Sequence, residues 1–169
     1  EYDVVVVGVG AMGSAATYHL ARRGHDVLGL ERYDVPHSRG SSHGVTRIVR
    51  KTSYEDPAHL PLLDRAYELW HDLDESAASD LIHGTGYVAA GPRDGDLYRG
   101  AVEACRTHDL EHEVLTGAAL GDRYPGYDLP AEFGAVVQPD GGFLHAEQCI
   151  VAHVEAAHRP GADVRAREA

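Results

Sequence analysis

The order of a strand, a glycine loop and a helix at the start of the chain most constrains the fold. Val4–Val7 are four consecutive β-branched residues, which predicts a central parallel strand buried on both faces. Gly8, Gly10 and Gly13 follow in the spacing Gly-x-Gly-x-x-Gly, and a helix is predicted over residues 11–23. The first glycine permits a tight turn, the second lets the backbone approach a pyrophosphate, and the third lets the helix pack on the strand. This pattern predicts a dinucleotide-binding loop.

A second strand and an acidic residue complete the unit. Gly24 is the expected helix stop, and Asp26 to Leu30 is the predicted second parallel strand. Glu31 follows at its end, where a carboxylate would accept hydrogen bonds from a ribose and repel a 2′-phosphate, which argues against NADP. The βαβ unit alone does not distinguish NAD from FAD.

Residues 32–56 are rich in Gly, Ser, His and Arg and predict a long functional loop. Within it, residues 40–50 place hydroxyl, imidazole and guanidinium groups just beyond the position of the ribose. A typical NAD domain would start its next amphipathic helix here, whereas this loop suits a cofactor that extends past its pyrophosphate. The loop therefore favours FAD; an NAD-dependent dehydrogenase and a non-catalytic nucleotide-binding fragment remain alternatives.

Further elements are predicted along the rest of the chain. A helix begins at Pro57 or Pro61 and runs through Leu73. Further helices are predicted over 96–108 and 146–158, and strands over 84–90, 112–115, 134–138 and from 163.

At the loop 40–50 the sequence resembles the FAD-dependent amine oxidases of the monomeric sarcosine oxidase and N-methyltryptophan oxidase type. The glycine motif is common to many families, but the string Ser-His-Gly-x-Thr-Arg-Ile-x-Arg is much more specific. The resemblance covers essentially the whole chain and includes residues 2–8, 40–50, 68–70, 85–88, 123–126 and 142–150.

The resemblance implies an α/β fold: a Rossmann-like FAD-binding βαβ domain with a parallel sheet, plus part of a second, α+β substrate domain. Residues 1–82 are expected to be the first segment of the FAD-binding domain, 83–144 part of the substrate domain, and 145–169 the return to the FAD-binding domain. The family's chain is about twice as long, and neither Cys105 nor Cys149 matches the cysteine that carries its flavin. The 169 residues alone are therefore expected to be inactive.

The activity implied by the resemblance is oxidation of the C–N bond of a small secondary amine or N-methyl amino acid, with electrons passed to O2 to give H2O2. Arg50 is expected to grip the substrate carboxylate, since a forked guanidinium binds a carboxylate bidentately. His43 and Arg47 are expected in the catalytic site with Arg50. The predicted cofactor-binding residues are Gly8, Gly10, Ala11, Met12, Gly13, Glu31, Arg32, Ser41, Ser42, His43, Thr46 and Arg47.

Structural roles are open for several of these residues. His43 could be an ordinary loop histidine, and Arg47 and Arg50 could pair with acidic residues such as Glu55 and Asp56.

A second helical pattern raises the question of a metal. His145, Cys149 and His153 recur every four residues on one predicted helix, but no fourth ligand is in sight, and no metal is expected.

Composition limits the partners. A formal net charge of -12 would repel nucleic acid and anionic lipid, and no run approaches the ~20 apolar residues of a membrane span. The start of the sequence has no basic region or cleavage site typical of a secretory signal, and two cysteines without a framework spacing favour a reducing, cytoplasmic location. The expected partners are a small amine and O2.

Overall fold

The computed structural model of the chain describes residues 1–52 and 57–168. The strands in this part are β1 Val4–Val7, β2 Val27–Leu30, β3 Thr46–Val49, β4 Ile82–Gly84, β5 Tyr87–Pro92, β6 Glu113–Thr116, β7 Phe133–Gln138, β8 Gly142–His145 and β9 Asp163–Arg165. The helices are α1 Ala11–Arg22, α2 Leu60–Ser76, α3 Asp96–Thr107, α4 Gly117–Arg123 and α5 Ala146–His158, and a 3-10 turn at Pro57–His59 precedes α2. None of these helices is both long enough and apolar enough to cross a membrane.

The chain folds into two compact units and passes between them four times. The first unit contains residues 1–47, 70–82 and the segment from 144 onward, and the second contains residues from 48 to 69 and from 83 to 143. The segment 48–69, expected with the FAD-binding part, groups with the second unit. The assignment of the units to cofactor and substrate stays a prediction.

The first unit contains the predicted βαβ arrangement. Strands β1, β2 and β9 form a parallel sheet in that order, with Val4 opposite Val27. Helices α1 and α5 pack together beside it, and Ala21 of α1 joins Val27 and Ala157 in a buried core. Because the buried face of α1 also carries the small residues Ser14 and Thr17, the helix can approach its neighbours closely.

The expectation that β1 is a central strand buried on both faces is wrong for the part of the chain described. Val5 is 51% exposed and Val7 82% exposed, and β1 lies at the edge of its three-stranded sheet. A run of β-branched residues indicates a strand, but which faces are covered depends on elements far away in the sequence.

The second unit is built on an antiparallel sheet in the order β5-β7-β6. Tyr87 of β5 lies opposite Gln138 of β7, and the two strands pair along six positions. Helix α3 covers this sheet, where Ala101 and Cys105 pack against Ala89 and Val136. The helix predicted over residues 96–108 is confirmed as α3.

Three local predictions need correction. The single strand predicted over 84–90 is two strands, β4 and β5, because Gly86 has a φ of +78° and turns the chain between them. Strand β3, which belongs to the sheet β3-β8-β4, lies inside the predicted loop 32–56. Helix α4 was missed, since it is short and contains two glycines; Thr116 caps it by accepting a hydrogen bond from the Ala119 N–H at 3.1 Å.

Candidate functional site

The three glycines of the loop have different structural roles. Gly8 has a φ of +90°, and a Cβ at Gly13 would lie 1.7 Å from the carbonyl oxygen of Gly8. A Cβ at Gly10 would meet only the Ser42 hydroxyl, at 3.9 Å. Gly8 and Gly13 are therefore required by the fold itself, whereas the space at Gly10 is open to a ligand.

The N-terminus of α1 faces a cavity and has no acidic residue in its first turn. Gly10 is the N-cap and provides no side-chain cap, while the Ser42 hydroxyl accepts a hydrogen bond from the Ala11 N–H at 3.4 Å. The cavity is about 290 Å³ and is lined by Gly8, Val9, Gly10, Ala11, Met12, Gly13, Pro36, His37, Gly40, Ser41, Ser42 and Ile150. Backbone N–H groups and the positive end of the helix dipole make this a favourable place for phosphate.

Glu31 anchors the glycine loop from the end of β2. It is 5% exposed, and its carboxylate accepts hydrogen bonds from the N–H of Val9 at 2.8 Å and of Tyr33 at 3.0 Å. Burial opposes ionisation, but these hydrogen bonds and the nearby His37, 3.3 Å away, outweigh it and lower the pKa of Glu31. The anchoring role was missed by sequence reasoning, which considered this carboxylate only as a ribose acceptor.

The Arg47 side chain makes several hydrogen bonds to the main chain of its own loop. Its guanidinium donates to the carbonyl oxygens of Ser41 at 2.6 Å, His43 at 2.5 Å and Thr46 at 2.8 Å. His43 is exposed, and its Nδ1 lies 2.5 Å from the carbonyl oxygen of Gly40. Both side chains therefore stabilise the loop conformation.

The N-terminal end of α5 also makes hydrogen bonds to this loop. The Glu147 carboxylate accepts a hydrogen bond from the Gly44 N–H at 2.9 Å, and the Ala146 N–H donates to the Val45 carbonyl at 3.2 Å. Sequence reasoning missed Glu147 because the two segments are far apart in the chain.

Arg50 belongs to the second unit and is half-buried. Its Nε donates to the Thr52 carbonyl at 2.9 Å, and its guanidinium lies 5.6 Å from the centre of the Tyr87 ring. Arg50 lines a cavity of about 480 Å³, and the other described residues that line it are Ile48, Val49, Thr52, His59, Leu62, Leu63 and Ala66. The Arg50 cation at the wall of a mainly apolar cavity suits a small amphipathic anion. The alternative partners Glu55 and Asp56 lie outside the described residues.

The structure thus brings together most of the predicted cofactor residues, but not all of them. Gly8, Gly10, Ala11, Met12, Gly13, Ser41 and Ser42 line one cavity, and Glu31 adjoins it through Val9. Arg32, His43, Thr46 and Arg47 do not line that cavity. Arg32 is exposed and lies 5.6 Å from the centre of the Tyr33 ring.

The pattern His145, Cys149 and His153 forms no metal centre in the part of the chain that is described, which has no group of three or more His, Cys, Asp or Glu able to hold a metal. Burial raises the pKa of Cys149 to about 11 and lowers that of His153 to about 4. These side chains belong to the core of the first unit.

Comparison with known proteins identifies the family. A family model described as "FAD dependent oxidoreductase" matches residues 3–169. The chain belongs to the FAD dependent oxidoreductase family. Within this family it is similar to monomeric sarcosine oxidase of Bacillus sp. (strain NS-129), with 40% identity over 97% of this chain and 43% of that protein. It is also similar to N-methyl-L-tryptophan oxidase of Yersinia pestis (strain Pestoides F), with 30% identity over 97% of this chain and 44% of that protein.

A solved structure agrees with this assignment. The open form of NikD, described as an unusual amino acid oxidase essential for nikkomycin biosynthesis, matches with a TM-score of 0.86 and 29% identity over 98% of this chain and 43% of that one. The chain therefore spans less than half the length of the relatives it matches.

The residues of the first unit fit the adenosine diphosphate part of FAD. The space that a Cβ at Gly10 would enter is open, and the N-terminal turn of α1 carries no carboxylate that would repel a phosphate. Ser41 and Ser42 line the same cavity, and a serine hydroxyl can donate a hydrogen bond to a pyrophosphate.

Proposed function

We propose that the protein containing this chain uses FAD to oxidise the C–N bond of a small secondary amine or N-methyl amino acid, with O2 as electron acceptor and H2O2 as product. The observation that carries the proposal is the cavity in which the glycine loop, an acid-free helix N-terminus and two serines converge. The names of the relatives, sarcosine oxidase and N-methyl-L-tryptophan oxidase, support the substrate class.

In this proposal the first unit binds FAD. The N–H groups at the start of α1 and the Ser42 hydroxyl hold the pyrophosphate. Glu31 already uses its carboxylate to fix Val9 and Tyr33, but two carboxylate oxygens offer about four acceptor positions, which leaves capacity for a ribose hydroxyl. The chemistry that FAD supplies when bound is the acceptance of two electrons and a proton from the amine and the return of electrons to O2.

The protein's contribution to catalysis is orientation. Arg50 binds the substrate carboxylate through two parallel N–H···O hydrogen bonds and so fixes the position of the amine carbon. The apolar wall formed by Val49 and Leu63 excludes water from the bound substrate, which strengthens that ion pair. Arg47 and His43 keep the loop 40–47 in one conformation, so that its N–H groups and hydroxyls stay directed at the cofactor.

The first test is spectroscopic and uses the full-length protein. The proposal expects absorbance bands near ~370 and ~450 nm, bleaching of the longer-wavelength band by sarcosine without oxygen, and peroxide on readmission of air. An NAD-dependent dehydrogenase would have no such bands and would reduce added NAD with the same substrates. A flavin spectrum that no amine bleaches would contradict the proposed reaction while leaving FAD binding intact.

The second test concerns Arg50. In full-length Arg50→Ala, we expect the KM for sarcosine to rise by about 100-fold, the loss typical of a charged hydrogen-bonded pair. The KM for an amine without a carboxylate should rise much less, and Arg50→Lys should recover part of the loss. An equal loss on both amines would mean that Arg50 is a structural arginine.

A further inference from the structure

The segment that follows β3 alternates between two sets of contacts in the second unit. The Lys51 ammonium lies 3.3 Å from the Asp64 carboxylate and 3.6 Å from that of Asp140. Arg50 and Thr52, on either side of it, are held by residues of the sheet β5-β7-β6. Residues 50–52 are therefore fixed both by the carboxylates that bind Lys51 and by the sheet residues that contact Arg50 and Thr52.

A hydrogen bond from side chain to main chain links Arg50 to Thr52. The Arg50 Nε–H donates to the Thr52 carbonyl at 2.9 Å, so the direction of the guanidinium depends on the orientation of the Thr52 residue. The Arg50 guanidinium also packs on Tyr87, with the guanidinium carbon 5.6 Å from the centre of the ring.

Gln138 holds the Thr52 backbone. Its Oε1 accepts a hydrogen bond from the Thr52 N–H at 3.3 Å, and neither residue is more than 1% exposed. Gln138 also lies directly opposite Tyr87 in the pairing of β5 with β7. Gln138 and Tyr87, which are paired across the two strands, thus contact Thr52 and the Arg50 guanidinium, respectively.

Packing alone does not explain why a glutamine stands at position 138. Within the described residues, its Nε2 is buried and has no hydrogen-bond partner, and a buried polar group left unsatisfied destabilises a fold. An apolar side chain of the same size would avoid that penalty. Among the described residues, the Gln138 amide oxygen accepts its hydrogen bond from the Thr52 N–H, which points to a role beyond packing.

We propose that Gln138 is a positioning residue for substrate binding: through the Thr52 N–H it fixes the peptide that orients the Arg50 guanidinium toward a substrate carboxylate. This proposal rests on the proposed function, in which Arg50 binds that carboxylate. A guanidinium that is fixed before binding loses less conformational freedom when the carboxylate arrives, so loss of the Gln138 contact weakens binding without removing the charge.

The test uses three variants of the full-length, FAD-loaded protein. Gln138→Met keeps the length and flexibility of the side chain but removes the acceptor for the Thr52 N–H. We expect its KM for sarcosine to rise about tenfold, with kcat and the KM for an amine without a carboxylate within about twofold of the original values. Gln138→Glu keeps an acceptor oxygen and should return the KM for sarcosine toward the original value. Gln148→Met, the same change at an exposed position on α5, is the matched control and should alter neither constant.

The results separate this proposal from the one on which it rests. If Arg50→Ala distinguishes the two amines and Gln138→Met does not, the positioning role is wrong while the function of Arg50 stands. If Arg50→Ala itself affects both amines equally, the proposed function fails. Should Gln138→Met not retain FAD, Gln138→Asn replaces it, because the shorter amide keeps the polarity but withdraws the acceptor from Thr52. An unchanged KM for sarcosine in Gln138→Asn would then overturn the proposal.

Discussion

The Glu147 carboxylate accepts a hydrogen bond from the backbone N–H of Gly44 at 2.9 Å, although the two residues are 103 positions apart in the chain. Gly44 has a φ of +103°, a conformation that favours glycine, and it lies in the loop whose carbonyl oxygens bind Arg47. The conformation of the loop 40–47 therefore depends on a charged side chain at the start of α5.

Glu147→Ala should loosen this loop. A partly buried hydrogen bond to a charged acceptor contributes about 1 to 2 kcal/mol, so we expect amide hydrogen exchange of the peptide covering residues 40–47 to accelerate by about tenfold. Glu147→Gln keeps an acceptor oxygen and should accelerate exchange less. Glu155→Ala, at an exposed position on the same helix, is the control, and equal acceleration in that variant would contradict a specific contact.

Gly10 and Gly13 should respond differently to the same substitution. The Cβ of Gly13→Ala would lie 1.7 Å from the Gly8 carbonyl oxygen, so the strand or the helix must move and we expect destabilisation by about 3 kcal/mol or more. Gly10→Ala has only the Ser42 hydroxyl nearby, at 3.9 Å, and its φ of -80° suits alanine. This variant should keep its melting temperature without FAD but bind FAD at least tenfold more weakly.

Thermal unfolding of the FAD-free protein and a titration with FAD measure these two effects separately. A Gly10→Ala variant that binds FAD as tightly as the original protein would place the pyrophosphate elsewhere.

The sequence predicts those features of the fold that are determined by residues close together in the chain. The βαβ unit was predicted because the valine run, the glycine spacing and the stop at Gly24 are all local signals. The exposure of Val7 could not be predicted from the same residues, since it depends on what covers the far face of the sheet.

The candidate site follows the same rule. Its glycines were found from spacing, and its serines from a resemblance along one continuous string of residues. Glu147 and Gln138 were not found, because a hydrogen bond across 103 or 86 positions leaves no periodic signal in one sequence. The anchoring of Val9 by Glu31 was missed for a different reason: the residue already had a convincing role as a ribose acceptor.

Glu31 should make the first unit sensitive to acid. Its pKa is lower in the folded protein than in the unfolded chain, so its ionised form stabilises the fold above the unfolded pKa, and that stability is lost as the pH falls through the folded pKa. In Glu31→Gln this contribution is absent at every pH. Denaturant unfolding at pH 7 and at about pH 3 should therefore show a smaller loss of stability for the variant than for the original protein. An equal loss in both would show that the carboxylate does not contribute.

The same residue should control cofactor affinity. Glu31→Arg removes the acceptor for Val9 and the ribose and places a cation in a site that is 5% exposed, so we expect FAD binding to weaken by at least tenfold. Isothermal titration with FAD measures this change, and unchanged affinity would count against the assigned site. Glu168→Arg, at an exposed position near the end of the described chain, makes the same change in charge and should have little effect.

His153 should cause a second loss of stability, at higher pH than Glu31. Its ring is 4% exposed and packs against Trp70, with ring centres 5.2 Å apart, and against Tyr18, with ring centres 5.8 Å apart. Burial, together with the charge of the nearby His19, lowers the pKa of His153 to about 4.

The direction of the pH effect follows from that shift. Between the ordinary value near 6.5 and the folded value near 4, the unfolded chain binds a proton that the folded protein does not, so stability falls as the pH is lowered through this interval. The expected loss from this group between pH 7 and pH 5 is on the order of 2 kcal/mol. His153→Phe keeps a ring in the core but cannot take up a proton, so its stability should differ less between the two pH values. Denaturant unfolding at pH 7 and pH 5 measures the difference, with His25→Gln as a control that removes an exposed imidazole. If His153→Phe loses as much stability as the control over this interval, then protonation of His153 is not what weakens the fold, and another group in the first unit must titrate there.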